Sequence, residues 1–285
     1  MPFDSSPVRV PWRVGTTSFI HPGDWLYNAS LLLPRFDDIE LLFFEADGPG
    51  AFPDAEQCRA LAEQKRIHGA SFSLHTPLVA SLASEDRARR AASVEQVGRA
   101  MHAARTLEPE AYVLHVYWGE SEHAAERPKD VGAWRARAAD SLRQVLAFGV
   151  EPRQLCIETL DYDFSLIEPV VESLNLSIAL DVGHLVRDGR DALAALDRYL
   201  PRARLIQWHG TDPEDRDHRS LLHFPRALAR QLISRLFAAR YSGVLTLEVF
   251  RAEDLERSEL VLRELLAELA PAALRVVGST AEPAA

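Results

Sequence analysis

Cysteine is nearly absent: the 285-residue chain carries only Cys58 and Cys156, too few for a disulfide framework and in keeping with a reducing compartment. No apolar run approaches the roughly 20 residues that cross a bilayer. With 26% charged and 47% hydrophobic residues, the balance is that of a soluble globular protein with no membrane partner. The opening MPFDSSPVRVPWRV lacks the basic segment and apolar stretch of a secretory signal, so a cytoplasmic location is the expectation. An excess of basic charge is missing too. The formal net charge of -10 opposes attraction to a phosphate backbone and disfavours nucleic acid as a partner, unless bound metal ions invert the field locally. No Gly-rich phosphate loop follows the first candidate strand, where GTTSFIHPGD is neither a dinucleotide fingerprint nor a P-loop. An open, doubly wound sheet therefore lacks support.

No Pro/Gly-rich linker divides the chain. Short β-rich runs recur with helical segments between them, at residues 12–18, 38–45, 70–76, 111–117, 154–160, 176–182, 203–210 and 244–250. Asp54 with Gln57 forms a capping-box start and Gly69 the matching stop of one helical segment. Ser84 opens a second, in which Val94, Val97, Met101 and Ala104 recur at helical spacing until Glu108-Pro109. Trp134, Ala138, Leu142 and Val145 mark a third, closed by Gly149. Eight such alternations predict an α/β fold, a single (β/α)8 TIM barrel over residues 1–275, with 276–285 as a disordered tail.

Successive side chains of a strand point to opposite faces. In IALD, Asp181 shares its face with Ala179 while Ile178 and Leu180 take the other. The same division sets Glu158 with Cys156, His75 with Ser73 and Ser71, His115 with Val113, His209 with Gln207, and Glu248 with Thr246. Six runs thus present a bulky apolar face to the helices and an ionisable residue to the interior, near the C-terminal strand ends where barrel enzymes assemble their sites. Three imidazoles and three carboxylates converging there suit divalent cations, which satisfy both donor types at once. His184, just past the sixth run, and the DRDH stretch, Asp215 to His218, past the seventh, extend the cluster to two or three ions. Such ions clamp a phosphoester and lower the pKa of water.

Plainer roles exist for each. Glu158 and Glu248 could form internal salt bridges, although neither run contains a basic residue. His68 reads as a helix-end residue favoured by the dipole, His102 and His123 as solvated surface, EDRARRAA as a wet helix face and Trp208 as core. Phe19, Trp25 and Tyr117 are candidates to line a substrate pocket, or else to pack at the rim.

With His75, His115, Glu158, Asp181, His184, His209 and Glu248 in this order, nearly the whole chain resembles the xylose-isomerase-like barrel superfamily, which includes apurinic-endonuclease-type metallophosphodiesterases. The resemblance implies a centre of two or three divalent ions, usually zinc with manganese as the alternative. Glu158 of IETL would be the shared ligand, and Asp181 and His184 of LDVGH a D-x-x-H element. DRDH departs from the family's D-x-H element, offering Asp215 or Asp217 with His218, and Glu158-Thr159 replaces the frequent Glu-Asn. GTTSFIHPGDWLYNASLLLPRFDDIELLFFE followed by SFSLHTPL looks most like the cobamide-remodelling phosphodiesterases, which hydrolyse the nucleotide-loop phosphoester of corrinoids. That implies a small-molecule corrinoid substrate and catalysis by Glu158, Glu248 and His184. No D-x-H-x-x-G corrinoid-binding element occurs. A sugar isomerase or epimerase would need only Glu158, Asp181, His209 and Glu248 around one ion. A DNA-repair endonuclease, or a corrinoid-binding module without metals, are the remaining alternatives.

Overall fold

The computed structural model describes residues 10–278 apart from 49, 122, 123, 125, 126 and 215; for 270–278 it gives only the course of a helix. Among the described residues, eight parallel strands close into a barrel in sequence order. They are β1 (Arg13–Thr17), β2 (Asp38–Leu42), β3 (Ser71–His75), β4 (Tyr112–Leu114), β5 (Leu155–Glu158), β6 (Ser177–Asp181), β7 (Ala203–Trp208) and β8 (Val244–Leu247). Each lies within one of the eight runs read from the sequence.

The helices between them are α1 (Trp25–Leu32), α2 (Ala55–His68), α3 (Arg87–Ala103), α4 (Val131–Leu146), α5 (Glu168–Ser173), α6 (Val182–Arg187), α7 (Ala192–Tyr199), α8 (Arg226–Ala238) and α9 (Ala252–Gly278). The first three residues of the segment expected to be disordered belong to α9, and 279–285 lie outside the described residues. Asp54 and Gln57 form the reciprocal capping box of α2, and Gly69 ends that helix at φ 61°, a left-handed turn that favours glycine. The start of α3 falls two residues later than expected. The Asp86 carboxylate accepts from the Ala88 and Arg89 N–H groups, while the Ser84 hydroxyl accepts from the Asp86 N–H. An Asp carboxylate directly before the first turn supplies the better acceptor for its free N–H groups. No helix among the described residues is long and apolar enough to cross a membrane.

The core has two parts, and they divide by strand parity. Ile39, Leu41, Phe72, Leu74, Ile157, Ile178, Leu180, Ile206, Trp208, Leu245 and Leu247 join the layer between strands and helices. Ala111, Val113, Cys156, Ala179, Leu205 and Val244 form a separate buried cluster. These small and medium side chains plug the barrel interior beneath the polar residues of the same faces, so the axis is packed and ends in a floor for the site above.

Candidate metal centre

His75, Glu158 and Asp181 are the last residues of β3, β5 and β6, whereas His115, His209 and Glu248 each stand one residue beyond β4, β7 and β8. The barrel therefore presents all six at its C-terminal rim. All six are buried, none more than 7% exposed, and His184 of α6 joins them at 4%.

Glu158 is the hub. Its Oε2 lies 3.2 Å from His75 Nε2 and 2.9 Å from His115 Nε2, and its Oε1 is 3.5 Å from His184 Nδ1. Asp181 is the second hub, 3.0 Å from His184 Nδ1 and 3.3 Å from His209 Nε2. Burial raises a carboxyl pKa, yet the surrounding imidazoles hold Glu158 and Asp181 well below the usual carboxylate range. Burial likewise opposes charge on the imidazoles. The hydrogen bond and charge of Glu158, with Glu40 behind it, prevail at His75 and raise it to about 9. At His184, Asp181 and Glu158 prevail and raise it well above its usual value.

The outer partners of two histidines settle their tautomers. His75 Nδ1 faces the Thr76 carbonyl at 2.9 Å, an acceptor only, so Nδ1 carries the hydrogen. The Tyr117 hydroxyl donates to the Leu78 carbonyl at 2.7 Å, so its oxygen accepts from His115 Nδ1 at 2.9 Å. In neutral rings both Nε2 lone pairs then point at the same carboxylate oxygen, an arrangement resolved by a proton or by a cation between them. His209 Nδ1 stands between the backbone N–H of His218 at 3.0 Å and the Gly210 carbonyl at 3.2 Å, so its outer partners accommodate either tautomer.

The fit to metal ions can be read from the unsatisfied atoms. Asp181 Oδ2, His209 Nε2 and Glu248 Oε2 are buried without a hydrogen-bond partner, and such atoms are costly unless something fills the space between them. Ligand atoms of Asp181, His184, His209 and His218 lie within 4.8 Å of one another, as do those of His75, His115 and Glu158. The nitrogen and oxygen donors present suit zinc or manganese.

The altered DRDH element is built differently from the rest. His218 adopts φ 52° and stacks on His209 with centroids 4.3 Å apart. Asp217 reaches His218 Nδ1 at 3.0 Å and His184 Nε2 at 3.7 Å, and it also pairs with the Arg187 guanidinium. A fixed cation thus already stands against the Asp217 carboxylate, whose pKa is lowered by His218 and Arg187 against the effect of burial. Asp215 lies outside the described residues, as does His123.

Of the candidate pocket residues, Phe19 is 55% exposed and lines a rim cleft with Trp25 and Phe44. Trp25 is tied down by its indole N–H to the Leu42 carbonyl, 3.1 Å. Tyr117 is committed to His115. The plainer readings hold for Trp208, fully buried against Phe224, for His68 in the last turn of α2, and for the exposed His102.

A family profile described as xylose isomerase-like TIM barrel matches residues 36–271. The chain belongs to this family. Among solved structures, a D-tagatose 3-epimerase-like protein aligns with TM-score 0.74 at 16% identity, over 90% of this chain and 98% of its own. L-ribulose 3-epimerase gives 0.69 at 18%, over 95% and 100%. Endonuclease IV from Thermus thermophilus gives 0.66 at 18%, over 90% and 99%. At these identities the likeness is one of fold. A comparison with curated proteins finds no match.

Within this xylose isomerase-like barrel, Glu40 and Arg187 join the site without being marked in the sequence, and Gly183 plays a part other than the turn that its place before His184 suggests. Glu40 obeys the same parity rule as the six, sharing its face with Asp38 in β2, and is fully buried. Arg187 carries no strand signal, because it ends α6. Gly183 is helical, with no positive φ, so it does not serve to turn the chain toward His184 as its place after the strand suggests. A Cβ there would lie 2.3 Å from His209 Nε2, and the glycine is required by that close approach.

Proposed function

We propose that this protein is a metal-dependent phosphodiesterase that hydrolyses the nucleotide-loop phosphoester of cobamides. The observation that carries the reading is the setting of Glu158, whose two oxygens face His75, His115 and His184, with Asp181 beside it sharing His184 and facing His209 as well. A donor set this rich in histidine, arranged in two adjoining groups, fits more than one ion. His75, His115 and Glu158 would hold one, and Glu158, Asp181, His209 and Glu248 its neighbour. Bound ions would supply Lewis acidity and a nucleophile at neutral pH.

The chain's own residues do the positioning. Tyr117 and the Thr76 carbonyl keep the His115 and His75 lone pairs aimed inward. Burial, then the charges of Asp181, Glu40 and Glu158, push the Glu248 carboxyl well above its usual pKa, a cost that a cation bound at its Oε2 would relieve. Arg187, His184 and His218 group around Asp217 beside the centre, where a phosphoryl oxygen would meet positive charge and N–H donors. Support for a corrinoid substrate comes from the N-terminal sequence resemblance, from an acidic chain ill-suited to DNA, and from exposed Phe19 beside Phe44 and Phe250 at the rim. Incubating metal-loaded protein with adenosylcobalamin and separating the products by chromatography tests it. A cobinamide-phosphate-type product is expected; no cleavage with zinc, manganese or cobalt refutes the reading.

A sugar 3-epimerase is the second reading, favoured by the 3-epimerases among the structural neighbours. It requires Glu158 and Glu248 to exchange protons with a sugar carbon. The three imidazoles closed around Glu158 leave it poorly placed to do so. Interconversion of D-fructose and D-psicose by the purified protein would establish this alternative.

A further inference from the structure

Glu40 is fully buried in β2, facing the barrel interior in register with Ser73 of β3. The Gln207 amide donates to Glu40 Oε1 at 3.3 Å and to Glu248 Oε1 at 3.1 Å. One amide thus pins one oxygen of each carboxylate, and the other oxygen of each, Oε2, is buried with no hydrogen-bond partner. Neither carboxylate forms an ion pair with Arg or Lys among the described residues. Ligand atoms of Glu40, His75 and Glu248 lie within 4.8 Å of one another. His218 Nε2 approaches Glu248 Oε2 only to 3.7 Å, beyond hydrogen-bond reach, so two buried carboxylates held by one neutral amide are an expensive arrangement unless a cation or a proton lies between them.

We infer that Glu40 is a metal ligand, completing with His75 and Glu248 a divalent-cation site of two carboxylates and one imidazole at the floor of the centre. This rests on the reading of the rim cluster as a metal centre and adds to it a ligand from the second strand. The His75 nitrogen that would serve also faces Glu158, so Glu40 enlarges an existing coordination sphere from below. The oxygen-rich donor set suits manganese or ferrous iron at this position better than a histidine-dominated set does. Gln207 acts as the positioning residue, orienting both carboxylates through their other oxygens.

The test uses crystals of the full chain grown with manganese chloride, measured by anomalous diffraction. An anomalous peak about 2.0–2.2 Å from a Glu40 oxygen and within bonding distance of His75 or Glu248 is the expected result. Peaks at Asp181 and His209 with none at Glu40 overturn this inference and leave the phosphodiesterase reading standing; no bound manganese at any of these residues counts against both. In solution, Glu40→Gln should lose one manganese equivalent per chain or bind it at least about tenfold more weakly. Unchanged stoichiometry and affinity in a folded Glu40→Gln protein would overturn the inference, and if that variant does not fold, the crystal measurement decides.

Discussion

Gly183 and His209 touch so closely that any side chain at 183 forces one of them to move: an added Cβ would sit 2.3 Å from Nε2 and 2.4 Å from Cδ2 of the imidazole. Helix α6 therefore packs its backbone directly on a candidate ligand, and the close contact fixes the ring that faces Asp181. Gly183→Ala should displace His209 or the first turn of α6, lowering metal affinity at least about tenfold and stability by about 1–3 kcal/mol. Chelator competition and thermal denaturation read the two effects. Wild-type affinity in the alanine variant would show that the contact does not constrain the site.

Tyr117 and His115 give a second prediction. Tyr117→Phe removes the oxygen that accepts from His115 Nδ1 and donates to Leu78, leaving the ring free to choose its tautomer. Metal affinity should fall about 10- to 100-fold, with only about 1 kcal/mol lost in stability. A drop in affinity without loss of the folded signal is the pattern to look for by calorimetric titration.

The metal-free protein should lose stability as pH rises. Burial, reinforced by Glu158, Asp38 and Asp181 and offset by His75, raises Glu40 from 4.5 to about 8. Its contribution is fully present below 4.5 and lost as pH climbs through about 8. His75, raised from 6.5 to about 9, acts with the same sign and loses its contribution as pH climbs through about 9. Glu158 and Asp181, lowered, contribute above their ordinary values and weaken the fold only in acid. Melting temperatures between about pH 6 and about pH 9 in chelator should therefore decline, more gently in Glu40→Gln. Added divalent metal should reverse the trend, since it selects the deprotonated ligands.

Arg187 supplies a fourth test. If its guanidinium on Asp217 provides fixed positive charge for a phosphoryl group, Arg187→Ala should lower kcat/KM on a phosphodiester by about 100-fold with the ions at Glu158 retained. An unchanged rate would remove Arg187 from the site.

The barrel and most of its rim were legible in the sequence because both rest on period-two patterning. Wherever a run such as SIALD alternates, burial on both faces leaves one register, and the position of Asp181 follows. Glu40 was equally legible by that rule, yet it stands two residues before the end of its strand, one layer below the rim where barrel sites assemble. Tyr117 reads as a pocket residue from composition, and only the path of the chain at Leu78 turns its hydroxyl into a prop for His115. Arg187 and Gly183 depend on how α6 sits across the barrel mouth, a packing relation that no local pattern encodes.

Metal content measured by elemental analysis tests the central claim most directly, with His75→Ala and His115→Ala run beside the native protein. Two or more divalent ions per chain, with one lost in each variant, is the predicted result. A single ion per chain, retained in both variants, would contradict the multi-metal phosphodiesterase and favour the one-metal epimerase.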